Sequence, residues 1–129
     1  MSGRWSSTVE CKAALVADGW PLVEIVERRV MGGRMKFDFM GKGGADVLAY
    51  DPVPGRGWKA VNGCTLSRKC EHIRQALANP RVRRWVEEWG FKFSLLVFSE
   101  APEREGGDEG HFEVPYELFR QEMAGGGRR

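Results

Sequence analysis

The chain lacks any run approaching the roughly 18 apolar residues that a membrane-spanning helix needs, so no membrane partner is expected. Its first residues, Met1-Ser2-Gly3-Arg4-Trp5, are not followed by an apolar segment, so no secretory leader is expected. Cysteine is scarce: three residues, an odd number, reads as reduced thiols in a cytoplasmic protein rather than a disulfide framework. A dominant charge is lacking too. Lys and Arg total 20 against 18 Asp and Glu, a net charge of +2, so any basic footprint for nucleic acid must be local. There is no phosphate-binding G-x-x-x-x-G-K-[ST] element, no G-x-S-x-G nucleophile turn and no internal repeat. Cys64, Cys70 and His72 do not follow a zinc-finger spacing, and a fourth ligand would have to come from distant His111. At 129 residues a single domain is expected rather than a two-domain cofactor enzyme.

What is present is ordinary globular material, 42% hydrophobic and 29% charged, with enough Trp and Phe for a core. Ser7-Thr8-Val9-Glu10 has the form of a capping box. Val9, Ala13 and Val16 follow at helical spacing before Gly19, which predicts a helix over residues 8–18. Residues 22–31, rich in Val and Ile, predict one strand, and residues 35–40 a second, with Lys36 and Asp38 on one face and Phe37 and Phe39 on the other. Gly41 to Gly44 reads as a flexible break, a turn rather than a nucleotide cradle. Strands are expected over residues 45–50 and 58–64, joined by a Pro- and Gly-rich loop. Leu66, Cys70, Ile73 and Leu77 predict a helix over residues 66–78. Asn79-Pro80 caps a short one in which Trp85 and Trp89 are assigned to the core. Residues 91–99 read as a buried strand, 100–110 as an exposed acidic loop, and Val114-Pro115 as the opening of a last helix that ends in a loose tail. Residues 1–99 form the core and 100–129 an appendage within the same domain. Strands in the middle with helices before and after argue for an α/β or α+β sandwich.

Asp46 opens an apolar strand, a costly place for a carboxylate unless it is paired or bound to metal. Pairing of the next strand across the Pro-Gly loop puts Asn62 and Cys64 on one face near Asp46. Asp38 on the preceding strand and Glu10 on the first helix are further carboxylates. Such oxygen ligands suit Mg²⁺ or Mn²⁺ acting on a phosphodiester. The alternative leaves Asp38 solvated and Asp46 capping a turn. Basic residues gather in two groups: Arg68, Lys69, Arg74, Arg81, Arg83 and Arg84 around the helices, and Arg28, Arg29, Arg34 and Lys36 near the first hairpin. Both fit a phosphate-facing surface, though charge runs on helices are more often solvated faces.

The stretch from Lys36-Phe37-Asp38 through Ala45-Asp46-Val47, followed by Trp58-Lys59-Ala60-Val61-Asn62, resembles the core of the PD-(D/E)xK nuclease superfamily. Within it the chain is most similar to phage and archaeal Holliday junction resolvases and small phage-type nucleases. The resemblance covers residues 8–99. It implies a restriction-endonuclease-like α/β core (α-β-β-β-α-β) with a central mixed sheet flanked by helices, and a magnesium-dependent endonuclease that cuts branched DNA in recombination as a homodimer. By the same resemblance Asp46 is the metal-binding aspartate, with Ala45 in place of the motif's proline; Asp38 and Glu10 add metal-binding carboxylates. Asn62 falls where the family has Glu, Asp or Gln, and Cys64 where it has the catalytic lysine. Lys69, on the next helix, is then the substitute for that lysine. Read the other way, Asn62 and Cys64 mark a weakened or dead nuclease that binds nucleic acid or a protein partner as a regulator.

Overall fold

The computed structural model describes residues 6–32, 35–99 and 110–126. Arg34 and most of the acidic stretch, residues 100–109, lie outside them. Helix α1 (Ser7–Ala17) is capped one residue earlier than the capping box suggests: Ser6 Oγ accepts the Val9 amide, while Ser7 Oγ donates to the Gly63 carbonyl. The buried stripe of α1 is Thr8, Cys11 and Leu15, and the valines assigned to it stay out, Val9 at 56% and Val16 at 54% exposure. The helix is turned by the fit of Cys11 against Gly63, where a side chain on residue 63 would meet the Cys11 sulfur.

Strand β1 (Leu22–Ile25) stops where one strand was expected to continue to residue 31. The Val26 and Glu27 amides both donate to one acceptor, the Asp46 carbonyl. Two residues against one is the pattern of a bulge, and it bends the chain out of the sheet. The chain then forms a separate two-stranded ribbon, β2 (Arg28–Val30) against β3 (Met35–Phe37). Strands β4 (Val47–Asp51), β5 (Gly57–Thr65), β6 (Lys92–Phe98) and β7 (His111–Pro115) complete a five-stranded mixed sheet in the order β1-β4-β5-β6-β7. All pairs are antiparallel except β5 with β6. The parallel step needs a crossover, supplied by α2 (Lys69–Leu77) and α3 (Pro80–Arg83), which runs on into a wide π-helical turn, Arg84–Glu88. Helix α4 (Phe119–Gly126) ends the described chain.

This is the expected α/β fold, a mixed central sheet flanked by helices with one at the C-terminal end. One face packs Ile73, Val82, Trp85, Phe93, Leu95 and Phe119; the other packs Cys11, Leu15, Trp20, Val47, Val61 and Leu96 under α1. Strand β7 and Trp89 depart from expectation as well. Strand β7 begins just past the expected acidic loop and takes Val114 and Pro115, expected to open the last helix, because Leu95 and Val114 face each other in its pairing with β6. Trp89 is 57% exposed, since the π turn shifts it off the face that buries Trp85.

The glycine stretch is a packed turn, not a flexible break. Phe39 and Ala45 exchange backbone hydrogen bonds across it, and Asn79 Nδ2 donates to the Met40 and Lys42 carbonyls. A Cβ on Gly44 would lie 1.9 Å from the Phe39 carbonyl oxygen. Gly44→Ala is therefore expected to cost about 3 kcal/mol. Gly55→Ala, at φ +92° in open space, should cost about 1 kcal/mol. Chemical denaturation of both variants checks this, and equal losses would contradict it.

Candidate metal centre

The bulge and the glycine turn each deliver one carboxylate to Asp46. Glu27 follows the bulged Val26. Asp38 follows β3, and its carbonyl accepts the Gly41 amide at 2.9 Å as the turn begins. Single carboxylate oxygens of Glu27, Asp38 and Asp46 all lie within 4.8 Å of one another. Thr8 Oγ1 donates to Glu27 Oε1 at 2.8 Å and Arg29 Nε to Glu27 Oε2 at 2.8 Å. The Gly63 amide donates to Asp46 Oδ2 at 3.2 Å. Lys36 Nζ stands 3.4 Å from Asp46, 3.5 Å from Glu27 and 3.7 Å from Asp38, so one ammonium touches all three groups.

Burial sets the electrostatics. Asp46 is fully buried. That burial, with the adjoining Asp38, pushes its pKa up to about 7, against the opposing pull of Lys36 and the Gly63 amide. Burial alone would lower Lys36, but the Asp46, Asp38 and Glu27 carboxylates outweigh it and hold the ammonium charged. Burial would raise Glu27, yet its hydrogen bonds from Arg29 and Thr8 and the charge of Lys36 bring it below the usual carboxylate value. Among the described residues four buried side-chain atoms have no hydrogen-bond partner: Asp38 Oδ1, Asp46 Oδ1, Asn62 Oδ1 and His72 Nδ1. Burial lowers the His72 pKa, so its ring is neutral at pH 7. The Glu27, Asp38 and Asp46 oxygens, grouped within 4.8 Å, are a hard-oxygen donor set that fits a divalent ion of the Mg²⁺ or Mn²⁺ type.

Of the residues singled out in the sequence, Asp38 and Asp46 are brought together. Glu10 is exposed on α1 and outside the carboxylate group, and Glu27 takes that place. Thr8, not Glu10, is the α1 residue that touches the cluster, because the helix is rotated from the expected stripe. Asn62 is buried beside Asp46, with Nδ2 donating to the Gly44 carbonyl at 2.5 Å and Oδ1 free of partners. Cys64 is buried in the core, and burial pushes its thiol up to about 12, so it carries no charge for chemistry. Lys69 is not the site lysine: its ammonium is held at 2.6 Å by Glu122 of α4. Lys36, assigned to the phosphate-facing surface, is the lysine at the carboxylates. Arg74 and Arg83 are exposed as expected; Arg68 pairs with Glu71 and Arg84 with Glu88. Glu27 was not singled out in the sequence, although strand alternation sets it on one face with Val23 and Ile25.

Comparison with models of known families, with curated proteins and with solved structures gives no match for this chain. No helix among the described residues is long and apolar enough to cross a membrane.

Asp46 makes the metal-free protein less stable at neutral pH. Between the ordinary value of 3.8 and about 7, the folded chain holds a proton that the unfolded chain has released, so stability falls as pH rises through that window. Glu27 acts in the opposite sense: its contribution is present above its unfolded value and lost as pH falls through its lowered one. Asp46→Asn cannot ionise. In chelator it should exceed wild type in stability by about 2 kcal/mol above pH 7, with the gap closing toward pH 4. Thermal melts across that range test this; a gap independent of pH would contradict it.

Proposed function

We propose that the chain is a metal-dependent phosphodiester hydrolase acting on DNA, an endonuclease of the PD-(D/E)xK type with its lysine moved. The carrying observation is the grouping of Glu27, Asp38 and the fully buried Asp46 around Lys36, with one oxygen of each carboxylate within 4.8 Å of the others. Asp46, Asp38 and Glu27 would hold Mg²⁺ or Mn²⁺, and Asn62 would add a neutral oxygen. The bound ion would supply charge for a phosphate under attack and lower the pKa of water there.

The chain's own groups do the remaining work. Thr8 and Arg29 fix the Glu27 carboxylate, and the Gly63 amide fixes one oxygen of Asp46, while the other faces the Lys36 ammonium at 3.4 Å. Lys36 stays protonated and places a positive charge where a phosphate oxygen would lie, the task for which Cys64 is unsuited. Asp46 must lose its proton before it can serve as a ligand, which puts activity on the alkaline side of about 7. DNA as the substrate, branched DNA in particular, and a homodimer presenting two equal sites rest on the sequence resemblance. The exposed Arg74 and Arg83 support them.

A second reading has its own observation. Lys36 already touches all three carboxylates, so a metal-free ion-pair cluster in a binding protein of the same fold accounts for the charges as well. Cleavage decides between them. A labelled four-way junction and a matched linear duplex are incubated with Mg²⁺, Mn²⁺ or chelator. Metal-dependent cutting is expected, abolished by Asp46→Ala, reduced about a hundredfold by Lys36→Gln and unchanged by Lys69→Gln. Junction binding without cutting in either metal would establish the binding protein instead.

A further inference from the structure

A divalent ion and the Lys36 ammonium are drawn to the same point. Lys36 Nζ stands 3.4 Å from Asp46 Oδ1, 3.5 Å from Glu27 Oε1 and 3.7 Å from Asp38 Oδ1, and oxygens of the same three carboxylates make up the candidate metal centre. Two cations cannot both be nearest neighbour to one trio of oxygens. They would be pressed into contact, where like charges repel strongly. Either the lysine stays and the ion is kept out, or the ion enters and the lysine leaves.

The contacts favour a lysine that can leave. Two other ammonium groups of the chain are held close, Lys59 at 2.6 Å from Glu113 and Lys69 at 2.6 Å from Glu122. Both are full charge-assisted hydrogen bonds, which run to about 2.9 Å. None of the three Lys36 contacts is that short, so its charge is shared among the acids and no single bond fixes it. The Lys36 side chain is 35% exposed, against 0% for Asp46 and 8% for Glu27, so it reaches solvent from a spot where those acids do not. An outward swing leaves their other ties intact: Thr8 and Arg29 on Glu27, and the Gly63 amide on Asp46. Arg29 is the opposite case, since its Nε bonds Glu27 at 2.8 Å as a fixed partner of that one carboxylate.

We propose that Lys36 is a displaceable counter-ion: its ammonium fills the cation position among Glu27, Asp38 and Asp46 and gives it up to solvent when a divalent ion binds there. The inference rests on the metal-centre reading and supplies its regulation. Cation loading and the placing of the lysine become one event. The released ammonium, still tethered beside the acids, is then free to meet a phosphate, so the assisting charge is presented only by the loaded site. The same competition holds cation affinity below what three carboxylates alone would give.

The test is Mn²⁺ binding followed by electron paramagnetic resonance, with no DNA present. It is run at roughly pH 8.5, which limits competition from protons once the lysine's charge is removed. Lys36→Met keeps the length of the side chain without its charge and should bind about tenfold tighter than wild type. Lys36→Arg keeps the charge and should bind no tighter. Lys42→Met removes one charge from the neighbouring glycine turn and should stay within about twofold of wild type. A second readout needs no variant. Acetylation of Lys36 in wild type, read by peptide mass spectrometry, should rise with Mg²⁺ and fall back in chelator, while that of exposed Lys92 stays constant. Affinity of Lys36→Met equal to or weaker than wild type, or a gain matched by Lys42→Met, would overturn the displacement. So would Lys36 acetylation indifferent to Mg²⁺. The two readings fail separately. Equal, saturable binding by wild type and Lys36→Met leaves the metal centre and removes the displacement; no binding by either protein removes the centre and the displacement with it.

Discussion

The structure turns on one buried carboxylate. Asp46 has no solvent exposure, and its Oδ1 has no partner nearer than the Lys36 ammonium at 3.4 Å. An isolated buried charge costs several kcal/mol even after relaxation. The chain meets that cost in three partial ways: a proton held up to about pH 7, the Gly63 amide on one oxygen, and the Lys36 ammonium at 3.4 Å from the other. None of these completes the shell. A protein that needed only stability would place an apolar side chain here, as it does next door at Ala45 and Val47. The incomplete shell is what makes the position a candidate site.

The surrounding local structure follows from holding other groups near that carboxylate. The bulge at Val26 and Glu27 hangs on the Asp46 carbonyl and turns Glu27 inward. The glycine turn closes so tightly that Gly44 admits no side chain, and it returns Asp38 to the cluster. Asn79, the cap of the short helix α3, holds that turn by two carbonyls. Gly63 lets α1 approach until Cys11 fills the space a side chain would take, which brings Thr8 onto Glu27. Three backbone exceptions thus converge on one charge cluster, and each departs from what periodicity alone predicts. Local rules break where function is held.

That convergence explains what the sequence discloses and what it hides. The α/β class, the strand pair around the Pro-Gly loop, the α2 crossover and the buried β6 were legible, because apolar periodicity and turn residues report burial directly. Asp46 and Asp38 were legible because a carboxylate at the mouth of an apolar strand contradicts its surroundings. Lys36 was visible as a residue sharing a face with Asp38, yet its partner was not, since the bend that delivers Glu27 depends on a carbonyl about twenty positions away. Glu10 failed for a related reason. The stripe of α1 is set by contact with Gly63, and Thr8 and Cys11 look no more buried in sequence than Val9 and Val16. Strand β7 was hidden behind Pro115, which reads as a helix opener but closes a strand.

The central claim is that Asp46, Asp38 and Glu27 form a divalent-cation site governed by the Asp46 proton. Mn²⁺ binding followed by electron paramagnetic resonance tests it most directly, without DNA and without reliance on activity. The account predicts saturable binding at roughly pH 8 that weakens toward pH 6, as Asp46 takes up its proton, and that Asp46→Asn abolishes. Binding of equal strength at both pH values, or binding that survives Asp46→Asn, would contradict it.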